Sequence, residues 1–88
     1  MKVKIKKSVL VDVLKVLGKV VCQTSPVEVL RSVRFLGVGA QVWLTATDGV
    51  ESVTFEVAGD AGELEDFAVE YKALRELIRS TRGGEVEV

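Results

Sequence analysis

The chain has no histidine, one cysteine and one proline. Without histidine, Ser-His and Cys-His nucleophilic catalysis and HExxH zinc chemistry have no base or ligand to work with. Paired-cysteine zinc sites are excluded by the same count. The lone Cys22 cannot close an internal disulfide, which fits a reducing, cytoplasmic setting, and without an activating base it reads as a small buried apolar residue. No apolar run reaches the 18 or more residues of a membrane helix, because Lys15 and Lys19 interrupt the richest stretch, residues 9–21. The lysines before that stretch imitate a signal peptide, but Asp12 and Lys15 break its apolar part and no cleavage site follows. The glycines form no phosphate loop: Gly37 and Gly39 precede strand residues, and Gly83-Gly84 is not followed by Lys and Ser/Thr.

What remains is a folded chain of 88 residues, 48% apolar and 28% charged, long enough for one modest core and too short for two domains. The net charge is only −1, but its distribution is uneven. Residues 1–19 carry six lysines (2, 4, 6, 7, 15 and 19) against Asp12. Residues 48–70 carry eight acids and no base, and residues 71–82 carry Lys72, Arg75, Arg79 and Arg82 against Glu76. The eight acids (Asp48, Glu51, Glu56, Asp60, Glu63, Glu65, Asp66 and Glu70) have no spacing that sets two of them opposite each other. They read as a solvated surface, not as catalysts.

Residues 2–6 alternate strictly, with Val3 and Ile5 on one face, as in a half-buried strand. Ser8 is placed to cap a following helix whose stripe is Leu10, Val13, Leu14 and Leu17. Val9, Val11 and Val13 also alternate, but twelve residues without a turn signal exceed an ordinary strand. Residues 22–26 read as a loop. Strands follow at 29–36, at 41–47 after a Gly37-Val38-Gly39 turn, and at 50–58 after Asp48-Gly49, whose type I′ turn would need positive φ at both residues. Residues 59–66 read as a polar connection, 67–69 as a short strand, 71–81 as a helix striped by Leu74, Leu77 and Ile78, and 85–88 as a last strand. The expected core joins both stripes to Val3, Ile5, Phe55 and Val57. Sliding residues 5–15 by 64 positions pairs Ile5 with Val69, Leu10 with Leu74, Leu14 with Ile78 and Lys15 with Arg79, a weak internal repeat in consistent register.

The opening Met1-Lys2-Val3-Lys4-Ile5 strand, the Leu10, Leu14 and Leu17 helix, the Leu44-Thr45-Ala46-Thr47-Asp48 segment and the run from Phe67 to Leu74 resemble the start of the bacterial DNA polymerase III β subunit, the sliding clamp. The resemblance spans nearly the whole chain. It implies an α+β, DNA-clamp-like fold with helices on one face of the sheet: one βαβββ unit at 1–58 and an incomplete βαβ unit at 67–88, together a single truncated amino-terminal domain. It further implies a non-enzymatic replication component with no cofactor or metal, encircling duplex DNA as part of a ring. Lys15, Lys19, Lys72, Arg75, Arg79 and Arg82 would then face phosphates, with the acids of 48–70 lying elsewhere. Where many clamps carry a basic loop residue after the first helix, Gln23 and Thr24 stand here. The ring-closing strands, and the groove for polymerase and clamp-loader peptides in the third domain, lie outside the part of the clamp that this chain matches. An unpaired sheet edge invites self-association. The alternative is a small clamp-like protein-association module without DNA binding.

Overall fold

The computed structural model describes residues 3–88. Strand β1 (Lys4–Lys6) buries Ile5 between exposed lysines, and Val3 before it is fully buried. Lys2, the first residue of the expected strand, lies outside the described residues. The chain passes from β1 directly into α1 (Lys7–Leu17), which buries Leu10, Val13, Leu14 and Leu17 as its periodicity requires. Val9 and Val11 are only half-buried, so the helical period prevails over the alternating one. Ser8 does not cap this helix. It sits inside the first turn, and the Lys7 amide, one of the helix's orphan donors, reaches the Gly84 carbonyl at 2.8 Å.

The segment expected to begin a strand at Val29 instead makes one helical turn, α2 (Glu28–Arg31), followed by β2 (Ser32–Thr47). The Ser25 hydroxyl accepts the Val27 amide at 3.1 Å, Arg31 Nη1 donates to the Ser25 carbonyl at 2.7 Å, and the Ser32 hydroxyl donates to the Glu28 carbonyl at 3.0 Å. These bonds close a compact turn and delay the strand by three residues. Cys22 is exposed in the preceding loop, not buried as its composition suggested, because the loop is pinned through its backbone, Cys22 N–H to Leu30 C=O at 2.9 Å.

β2 is unbroken through Gly37-Val38-Gly39, and β3 (Ser52–Glu70) is unbroken through residues 59–66, so neither the expected turn nor the expected polar connection exists. The two strands form one long antiparallel ribbon, from Thr47↔Ser52 to Ser32↔Glu70, with register shifts between Gly37 and Gln41. Gly39 and Gly62 face each other at φ 59° and 65°. Glycine alone enters that region without penalty, so the pair carries a bulge where a turn was expected. At the ribbon's tip only Gly49 has positive φ (94°). The loop is four residues long, organised by the Asp48 carboxylate, and is not a type I′ turn.

The other edge of β3 pairs with β1 at Gly59 and Asp60, and β1 pairs with β4 (Glu85–Glu87), giving the antiparallel order β2-β3-β1-β4. Helix α3 (Tyr71–Ser80) follows β3 without a linker, as α1 follows β1. The junction residues Lys6 (φ −57°, ψ 131°) and Glu70 (φ −59°, ψ 133°) are 64 positions apart, the offset of the internal repeat, and share one conformation. Both helices join one core with Val33, Phe35, Val42, Leu44 and Ala46 of β2 and Val86 of β4. Leu77, Phe55 and Val57, expected inside, are only half-buried; the fully buried side of the ribbon is β2, with Phe35 stacked on Phe67 at 5.3 Å.

Candidate nucleic-acid interface

The first residue of each helix reaches the far end of the other. Lys7 Nζ donates to the Thr81 carbonyl at 2.6 Å, and the buried Tyr71 hydroxyl donates to the Leu14 carbonyl at 3.4 Å. The helices are therefore antiparallel, and Gly18 is what lets them approach: a Cβ there would overlap the Tyr71 hydroxyl.

Between them runs a groove of about 220 Å³ whose floor is Val11, Leu14, Tyr71 and Ile78 and whose rim is Lys15, Arg75 and Arg79. The Arg75 guanidinium lies 5.9 Å from the Tyr71 ring centroid, within cation–π range. Lys15 and Arg79 occupy the last turns of their helices, where the backbone dipole favours cations. That preference gives both residues a structural reason to be basic, beside any ligand.

A second cleft of about 230 Å³ adjoins the first through Arg75 and is lined by Gln23, Arg31, Glu70, Lys72 and Glu76 as well. Four of the six residues singled out in the sequence thus line the groove or the cleft: Lys15 and Arg79 the groove, Lys72 the cleft, and Arg75 both. Lys19, in the turn after α1, and Arg82, after α3, are exposed and line neither. Arg31 lines the cleft although nothing in the sequence marked it; the short turn α2, read as strand, hid its direction.

The acids of residues 48–70 are not wholly elsewhere, because Glu70, the junction residue before α3, lines the second cleft. Asp66 does lie away from the helices. On the opposite sheet face it accepts two bonds from Arg34, Nε to Oδ1 at 2.9 Å and Nη2 to Oδ2 at 2.8 Å. That pairing holds the Asp66 carboxyl below its ordinary range and raises the guanidinium of Arg34. Asp48 sits at the ribbon tip, its Oδ1 accepting the Glu51 and Val50 amides at 2.7 and 2.8 Å, bonds that hold its carboxyl below the usual value. An apolar floor with a cationic rim suits a polyanion with an extended backbone.

The fold has solved counterparts. A polymerase III β subunit from Caulobacter crescentus superposes with a TM-score of 0.79 at 23% identity over 99% of this chain. The β subunit of Streptococcus pyogenes DNA polymerase matches over 100% of it at 0.84 and 14% identity, and the DNA polymerase sliding clamp of Bacillus subtilis over 99% at 0.85 and 17%.

The chain has the sliding-clamp fold.

It spans about a quarter of the length of these clamps, 24 to 25%. No protein-family model and no curated protein matches the sequence. At these identities the clamp likeness rests on the path of the backbone, with β1 running into α1, the bulged β2–β3 ribbon and α3 beside α1.

Proposed function

We propose that this chain acts as part of a sliding clamp, its helix pair facing duplex DNA without reading sequence, as a non-enzymatic processivity component of replication. The observation that carries the reading is a clamp fold across the described chain whose paired helices hold a cation-rimmed groove. Lys15, Lys72, Arg75 and Arg79 would meet phosphates there, with Lys19 and Arg82 as outlying cations. Phosphate contact is sequence-independent, and each phosphate neutralised contributes about −0.9 to the slope of log affinity against log salt. With three or four contacts the chain alone holds duplex weakly and releases it near physiological salt.

Titration of labelled duplex at low salt tests this. The expected result is weak binding with a steep salt slope, flattened by about one unit per lost contact in Arg75→Ala/Arg79→Ala. Absence of duplex binding in the unaltered chain overturns the reading. One observation favours a second reading, a clamp-like module for protein association: Glu70 and Glu76 share the cleft with the cations and lower its net charge. That module would self-associate and ignore duplex at every salt concentration.

A further inference from the structure

We infer that Arg31 is a phosphate-contacting residue and that the cleft it shares with Lys72 and Arg75 extends the track of the duplex backbone beyond the α1–α3 groove. The inference rests on the DNA-facing reading of the helix pair and adds to it a residue on a different element.

Four observations carry it. Arg75 lines both depressions, so its guanidinium stands between the groove cations Lys15 and Arg79 and the cleft cations Lys72 and Arg31, where one extended anion could meet both sets. Arg31 is already held in place, since its Nη1 donates to the Ser25 carbonyl at 2.7 Å and the residue is half-buried. A guanidinium has five N–H donors in a rigid fork, so this anchor orients the group and leaves most of its donors for an external oxyanion. Among the described residues no carboxylate lies within ion-pair distance of Arg31, Lys72 or Arg75, although Glu70 and Glu76 line the same cleft; Glu76 instead stands 4.0 Å from Arg79. Finally, the loop that borders the cleft offers only Gln23, a neutral amide, so the positive charge on that side comes from α2. The occupant that fits is a phosphodiester backbone, an anion spaced to meet successive cations along a track.

A purely structural Arg31 would anchor the 22–26 loop and leave the salt dependence untouched, so the readout is the slope. Anisotropy of a labelled duplex of mixed sequence is followed with the 88-residue chain and with Arg31→Gln, Arg31→Lys and Glu70→Gln. Arg31→Gln is expected to flatten the slope by about 0.9, which makes its loss of affinity between about 50 and 200 mM salt roughly threefold smaller than that of the unaltered chain. Arg31→Lys, keeping the charge, retains the original slope, and Glu70→Gln tightens binding by removing a repelling carboxylate. If the unaltered chain binds and Arg31→Gln keeps its slope, the inference falls and the DNA-facing reading stands. If the unaltered chain does not bind, both fall. Should Arg31→Gln fail to fold, Glu70→Gln decides, and an unchanged affinity there overturns the inference.

Discussion

Tyr71 and Gly18 make a coupled pair at the crossing of the two helices, because a Cβ at Gly18 would overlap the Tyr71 hydroxyl. Gly18 has helical dihedrals, φ −62° and ψ −21°, so alanine there suits the backbone and would gain up to about 1 kcal/mol of propensity. The added methyl, however, would overlap the Tyr71 hydroxyl and crowd both its ring and the Leu14 carbonyl. Overpacking of this kind costs about 1–3 kcal/mol, so Gly18→Ala is expected to destabilise on balance. The cost should shrink in a Tyr71→Phe background, and urea unfolding of the double-mutant cycle reads the difference. Asp48 offers a second residue-scale test. Its carboxyl is held low by the Glu51 and Val50 amides, so its contribution is present above the unfolded value of about 3.9 and is lost as pH falls through the lower folded value. The Val50 and Glu51 amide resonances are expected to shift together below about pH 4, and Asp48→Ala should abolish that titration.

At the scale of elements, the helix stripes are decisive. Leu14→Ala should cost about 2–5 kcal/mol, whereas Val16→Ala, at a site 41% exposed, should stay within about 0.5 kcal/mol. The contrast, measured by thermal or urea unfolding, tests the assigned face of α1. These helices were legible because three or four apolar side chains at helical spacing have one solution, a stripe on the core. The ribbon was less so. Gly59, Asp60, Gly62 and Glu63 look like loop residues one at a time, yet the backbone there pairs with β1 on one edge and β2 on the other, and pairing across the sheet overrides composition. Gly37 suggests a turn for a related reason, yet β2 runs straight through it. It is small because a Cβ would press on the Ala61 methyl, a close approach between strands, and not because the chain turns. Of the groove and cleft, Lys15, Lys72, Arg75 and Arg79 stand out in the sequence by local charge and through the clamp resemblance. Arg31 and Glu70 do not, since each depends on where a neighbouring element begins. Gly39→Ala tests the bulge: with no neighbouring atom near a Cβ, its cost is backbone strain alone, about 1–2 kcal/mol, and Gly39→Asn should cost less.

For the whole molecule, the radius of gyration of 12.1 Å matches the roughly 12 Å of a compact chain of this length. Compactness does not cover every surface. Val53, Phe55, Val57, Phe67 and Val69 line the inner face of β3 half-buried, and β2 and β4 are the end strands of the sheet. End strands present unpaired backbone groups that invite pairing with another chain. Self-association is therefore expected, seen as a sedimentation coefficient that rises with concentration; a strict monomer at high concentration would count against it. The two strand-to-helix junctions have a mechanical consequence. Lys6 and Glu70 pass from strand to helix with no loop residue between, so the helix pair has no hinge of its own. It behaves as a bracket welded to a plate. A load on the sheet rim tilts the bracket with it, so the gap between Lys15 on α1 and Arg75 and Arg79 on α3 follows the curvature of the sheet and not the torsion of a flexible joint.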